Sequence, residues 1–420
     1  MTSSMTSLYF YVVVLVAVEM AACACPRQCS CDDVISSSGG GGPRGVGCRG
    51  RALTDHVVAG GAFVVPAETE VLDVGRNRIS GVDWLATLVA PRLARLYADR
   101  CEIRRIGGAA FNNFRSLEYI DLSFNRIDRL AQGAFSGLTR LRTLRLDGNR
   151  LPSLGPSIFR GLTLSILRLD ENLIRDLDAL AFQDAAVETL NMDGNRLVKI
   201  EGGAMRPLRS SLRNLTISRN AVPLEIASDA FVGFSFAAVR VRASGVRSVR
   251  FIEDVAGVES LDVGRNELGG VTLAWSTALA LGCREARLDA VGLERFDASL
   301  AASMRSARVL DLSANRLSGV DPTAFRALTD LRSLDLSRNQ LARLPPDFSR
   351  HLSTVERLNL SSNSISDVEP TSLSGLARLR QLDLSRNRIQ VSAVPNWPIF
   401  RLISIGIRRK SFHLIGLAPK

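Results

Sequence analysis

Few side chains in this sequence of 420 residues could do chemistry, and their spacing narrows which chemistry is open. The three histidines are His56, His351 and His413. Nucleophilic or acid–base catalysis needs a nucleophile and a base within hydrogen-bond reach, with a third group orienting the base. Histidines so widely dispersed supply no such set, so neither an enzyme nor a bound cofactor is expected. Asp147, Asp170 and Asp193 recur at an even interval and could stack into a carboxylate column able to hold a hard cation. Arg145 and Arg168 stand two residues ahead of the first two and would neutralise that column, so no metal site is expected. Cys25, Cys29, Cys31 and Cys48 cluster near the N-terminus, whereas Cys101 and Cys283 stand apart. What remains is contact chemistry: aromatic anchors at Tyr97, Tyr119 and Phe124, and guanidinium groups at Arg145, Arg168, Arg240 and Arg242 that could meet anions.

A repeat must position these residues. The frame L-x-x-L-x-L-x-x-N-x-L is clear at 117–127 (LEYIDLSFNRI), 141–151 (LRTLRLDGNRL), 331–341 (LRSLDLSRNQL) and 379–389 (LRQLDLSRNRI). With these as anchors, fourteen frames follow one another at intervals of 22 to 25 residues, the first starting at Thr69 and the last at Leu379. Frame positions 4 and 6 point inward from a short strand, so positions 3, 5 and 7 face outward. Each frame therefore adds one strand to a parallel sheet. Position 9 is Asn in most copies, such as Asn77, Asn125, Asn149 and Asn339, where a buried amide can satisfy the turn that leaves the strand. Phe111, Phe135, Phe159, Phe182 and Phe325 recur at position 19, with Phe231 one place later, as an aromatic spine under the opposite side.

This pattern resembles the leucine-rich repeat. Cys25-Pro26-x-x-Cys29-x-Cys31 followed by Cys48 resembles the N-terminal cysteine cap of extracellular leucine-rich-repeat proteins. The 24-residue period with its A-F element is similar to animal cell-surface members of the Toll, Slit and chaoptin kind. The resemblance implies an α/β solenoid, a horseshoe with a parallel sheet on its concave face and loops and short helical turns on its convex face. It also implies disulfides Cys25–Cys31 and Cys29–Cys48. Cys101 and Cys283 lie eight strands apart, roughly 38 Å along such a sheet, far beyond the reach of a disulfide. Both occupy inward positions and are expected as buried structural thiols.

Residues 8–18 form an apolar run ahead of an Ala22-Cys23-Ala24 cleavage site, so 1–24 reads as a signal peptide with Cys25 as the first mature residue. Residues 25–68 then form the cap, 69–402 the fourteen repeats, and 403–420 a basic tail. The run is far short of the roughly 20 residues that span a bilayer, and no other segment reaches that length. No cysteine follows Ile389, where secreted members of this kind usually close with a second cysteine cap. The chain is therefore expected to be a truncated or mis-spliced product, with membrane attachment of the full product left open.

The net charge of +11 comes from 53 basic residues, of which only Lys199, Lys410 and Lys420 are lysines. So skewed a ratio, in a chain rich in Ala and Gly, points to codon bias rather than to selection for phosphate contacts, and nucleic acid is not expected as a partner. Position 5 is acidic at both flanks of the array and basic in its middle. Two readings follow. The first is an extracellular protein-binding module for adhesion or receptor-type recognition, with Tyr97, Tyr119 and Phe124 as an exposed cluster. The second is a matrix-type protein that binds heparan-type sulfated polysaccharide through Arg145, Arg168, Arg240 and Arg242. Asn214-Leu215-Thr216 and Asn359-Leu360-Ser361 are sequons expected to carry glycans on export.

Overall fold

The fourth residue of each frame is the pivot of a strand. The computed structural model describes residues 25–31, 44–59, 63–108, 110–220, 223–268, 282–389 and 404–405. The apolar run at 8–18, His413 and most of the basic tail lie outside the described residues. The chain divides into two compact units, Met1–Leu215 and Thr216–Lys420.

In the first unit the strands are β1 (Gly45–Gly47), β2 (Val71–Asp73), β3 (Arg95–Tyr97), β4 (Tyr119–Asp121), β5 (Thr143–Arg145), β6 (Thr163–Arg168) and β7 (Ala186–Asn191). They pair in parallel and in sequence, with Val46, Leu72, Leu96, Ile120, Leu144, Leu167 and Leu190 in one register row. All seven are buried. The strand β8 (Asn214–Thr216) stands at the boundary. The second unit repeats the plan with β9 (Ser235–Arg240), β10 (Gly257–Asp262), β11 (Glu285–Arg287), β12 (Val309–Asp311), β13 (Ser333–Asp335), β14 (Arg357–Asn359) and β15 (Gln381–Asp383). A two-residue strand, β16 (Ser404–Ile405), pairs in parallel with β15, so the sheet of this unit continues past the last frame.

The turn after each strand is the same throughout. Position 8 has positive φ in all fourteen frames, from Arg76 at 58° to Arg386 at 56°, yet only Gly148 and Gly194 are glycines there. A non-glycine residue in this left-handed region costs about 1–2 kcal/mol. The asparagine that follows offsets that cost. Asn149 Nδ2 donates to Leu122 O (3.0 Å) and Leu146 O (2.9 Å), and its Oδ1 accepts from Ile127 N (3.0 Å). Asn339 does the same with Leu312 O, Leu336 O and Leu317 N. Each amide thus ties its own strand to the preceding one, and each is buried. In two of the three frames that lack Asn a shorter donor reaches the same carbonyl of the preceding repeat, while the third has Val291, whose side chain donates nothing. Cys101 Sγ donates to Val74 O (3.1 Å) and Ser244 Oγ to Ile217 O (3.1 Å).

Behind the sheet, Phe111 stacks on Phe135 and Phe159 on Phe182, each at 5.7 Å between ring centroids. In the second unit Phe325 contacts Phe296 and Phe348. Ahead of β1, Cys25 is joined to Cys31 and Cys29 to Cys48, and Ser30 pairs with Gly47 across the second bond.

Replacing Asn149 with Ala strands the Ile127 amide in the core and leaves Leu122 O and Leu146 O with one side-chain amide donor each, Asn125 Nδ2 and Asn172 Nδ2. At about 1–3 kcal/mol for that one buried unsatisfied group, the variant should lose about 2 kcal/mol in urea unfolding. A loss under about 1 kcal/mol would show that the ladder is dispensable.

Candidate recognition surface

Outward positions 3, 5 and 7 make the exposed face of each unit's sheet, and most charges on it are paired within it. In the first unit Arg49, just past β1, reaches Asp99 with two hydrogen bonds (2.8 and 2.7 Å) and touches Asp73 at 3.2 Å. It passes over Gly75, where a Cβ would lie 2.5 Å from both Arg49 Nη1 and Asp99 Oδ1. The second unit repeats the device. Arg242 bonds Asp262 (2.7 Å) and Asp289 (2.7 Å) across Gly264, where a Cβ would meet the same pair of groups. Sequence reasoning passed over Arg49, Asp99 and Asp289. Their signal is the pentapeptide DVGRN, identical at 73–77 and 262–266.

Between these positions in the first unit, charges alternate. Arg145 meets Asp121 (3.1 Å) and Asp147 (3.0 Å), and Arg168 meets Asp147 (3.7 Å) and Asp170 (2.7 Å). Asp147 keeps only 2% of its side chain exposed. The guanidinium hydrogen bonds to these carboxylates raise the pKa of Arg145 and Arg168 despite their partial burial. The expectation that Arg145, Arg168, Arg240 and Arg242 form a polyanion surface is corrected accordingly. Three of the four are neutralised by neighbouring carboxylates, and only Arg240 is exposed without an ion pair.

The aromatic residues separate. Tyr97 and Tyr119 lie on adjacent strands with ring centroids 5.0 Å apart, both half-buried rather than fully exposed. Tyr119 donates its hydroxyl to Asp121 Oδ2 (3.3 Å), and burial, then the Asp121 charge, raises its pKa. Phe124 does not join them. At a turn with positive φ, 46% exposed, its ring lies under the Arg100 guanidinium (4.3 Å to the centroid) and against Gly148. The left-handed turn carries the position-8 side chain off the strand's alternation, which the frame alone does not reveal.

The second unit carries a polar groove of about 590 Å³ lined by Asp289, Asp335, Asp383, Ser337, Arg338 and Arg386. Of its position-5 carboxylates, Asp335 and Asp383 have no ion pair among the described residues, and Arg287, at position 5 beside Asp311, bonds Glu285 (2.7 Å). Asp335 takes the Asn359 amide instead (2.9 Å), and burial raises the pKa of Asp311, with Asp335 and Asp289 repelling its charge. The sequon residue Asn359 is thus hydrogen-bonded through its Nδ2, as is Asn214 to Thr189 Oγ1 (3.2 Å). Cys101 and Cys283 are buried, and burial pushes both thiols up to about 11, so neither is a nucleophile at neutral pH. Among the described residues no group of three His, Cys, Asp or Glu is placed to hold a metal ion, and no helix is long and apolar enough to cross a membrane.

Comparison with known proteins agrees with this geometry. The Leucine rich repeat family profile matches residues 91–151, 287–341, 305–355 and 329–389, so the chain carries leucine-rich repeats. Among solved structures it is similar to a leucine-rich-repeat protein of Leptospira interrogans, at TM-score 0.64 and 19% identity over 78% of this chain and 81% of that one. An internalin of Listeria monocytogenes is similar at TM-score 0.53 and 18% identity, over 81% and 87% of the two chains. No curated protein matches the chain. The fold is a leucine-rich-repeat solenoid.

The Asp311 pKa is raised in the fold, so its charged form is the disfavoured one. Its penalty is absent below the unfolded carboxylate pKa and grows as pH rises through the folded one. Asp311→Asn keeps the oxygen that accepts from Ser313 N and should raise the urea midpoint at pH 7, with the difference closing at pH 3. An equal difference at both pH values would rule out the buried charge of Asp311 as its origin.

Proposed function

We propose that this chain is an exported recognition protein, serving adhesion or receptor-type contact, whose outward sheet face in the first unit binds a protein partner. One observation carries the reading: Tyr97 and Tyr119 touch on a face most of whose charges are already paired with one another. Burying unpaired ions under a partner is costly, and burying satisfied ones is less so. Two adjoining aromatic rings offer large contact area at small entropic cost, the composition that binding hot spots favour. Ile166, also on this face and 39% exposed, would extend the apolar contact.

Export is supported by the disulfides Cys25–Cys31 and Cys29–Cys48, since such bonds persist in oxidising compartments. The apolar run at 8–18 with its A-x-A site supports a signal peptide, and the cysteine spacing supports an extracellular type of cap. We read Asn214 and Asn359 as glycan acceptors, modified during translocation before their amides engage Thr189 and Asp335. Glycans there would leave the face around Tyr97 and Tyr119 open.

The test uses the full chain secreted from animal cells. Glycosidase treatment should lower its mass, and the purified protein should stain cells in a way that trypsin pretreatment of those cells abolishes. Replacing both Tyr97 and Tyr119 with Ala should weaken staining by at least about 2 kcal/mol without moving the thermal midpoint. Undiminished staining by a folded double variant would overturn the reading.

A further inference from the structure

Arginines left out of the ion-pair ladder gather along one edge of the first unit. Frame positions 8 and 10 lie just past each strand and hold Arg76, Arg78, Arg100 and Arg150, all exposed. Position 13 adds Arg105 and Arg129, also exposed, which face each other in register in a two-residue parallel pair. Arg126, on the same edge, is paired with Glu102 (3.2 Å). None of the six has an ion pair among the described residues.

This arrangement costs the fold something. Like charges directly opposite one another across a strand pair are destabilising, which bears on Arg105 and Arg129. Arg76 and Arg100 occupy left-handed turns at φ 58° and 55°, where glycine is the unstrained residue. The coding bias behind the chain's arginines does not account for this, because the chain has 33 glycines and places two of them at this same frame position. Each of these turns is also pinned. Arg76 N donates to Asp99 O, Arg78 N to Leu53 O, Arg100 N to Ser123 O and Arg150 N to Ile127 O. The guanidinium groups therefore spring from a rigid backbone at a pitch of about 4.8 Å per strand.

We propose that this edge binds a linear sulfated polysaccharide, whose sulfates and carboxylates would bridge successive arginines. Guanidinium groups suit such anions because they are weakly hydrated and donate in pairs. Two features favour a polysaccharide over nucleic acid. Single-stranded nucleic acid is held by stacking on open aromatic faces, and the exposed ring here, Phe124, is already covered by Arg100. The second feature rests on the export reading: the Cys29–Cys48 bond favours an oxidising compartment, where sulfated polysaccharide is the abundant polyanion. The inference is independent of the protein-binding reading, since it uses none of the residues on the sheet face.

The test measures binding of a heparin fragment to the full chain in physiological salt. Arg76→Ala with Arg105→Ala and Arg129→Ala should weaken it about tenfold, the sum expected of three exposed ion pairs. A second triple, R78A with R100A and R150A, should give the same loss and covers the case in which the first misfolds. R326A with R350A and R378A, exposed arginines of the second unit at frame positions 20 and 24 and so off the turn edge, removes equal charge and should change binding less than about twofold. No binding by the parent chain, equal losses in edge and control triples, or displacement of heparin by single-stranded DNA at equal concentration would each overturn the proposal.

Discussion

A side-chain amide in most repeats holds this structure in register. A three-residue strand is too short to fix its own pairing, and a left-handed turn after it is unfavourable for most residues. The position-9 asparagine resolves both difficulties, donating to a carbonyl of its own strand and one of the strand before, and accepting from the chain leaving that earlier strand. A one-residue slip would bury the polar row and expose the leucines. The character of the outward face therefore depends on groups that never reach it.

That face is shaped by internal neutralisation. Arg145 and Arg168 alternate with Asp121, Asp147 and Asp170, while Arg49 and Arg242 each span a glycine to reach carboxylates on the next two repeats. Partly exposed pairs of this kind contribute little stability. Their consequence is that the first unit presents Tyr97 and Tyr119 among mostly satisfied charges, while in the groove of the second unit Asp289 is bound by Arg242 and Asp335 and Asp383 have no ion pair among the described residues. Equal outward positions thus carry different chemistry in different repeats.

The strand positions, the asparagine ladder and the stacked phenylalanines were legible in the sequence because each follows from a fixed period and an inward direction. The contact between Tyr97 and Tyr119 was legible for the same reason, since position 5 of one strand lies diagonal to position 3 of the next. The site of Phe124 was not, because the backbone leaves the strand's alternation at position 8. Nor was the pairing of Arg242, which depends on Gly264 lacking a side chain and on Asp289 lying 47 residues further on. A count of arginines along the chain cannot tell a neutralised guanidinium from a free one. Exposed guanidinium groups without an ion pair among the described residues stand instead along the turn edges, as Arg76, Arg78 and Arg100 do in the first unit.

The dependence on the amide ladder is most directly tested by native-state hydrogen exchange. The backbone amides of Ile127, Leu151 and Ile174 donate to the side-chain oxygens of Asn149, Asn172 and Asn195 rather than to any strand. If the ladder holds the register, these amides should exchange as slowly as those at the centres of β4, β5 and β6. Exchange as fast as that of amides in solvent-exposed turns would contradict the account.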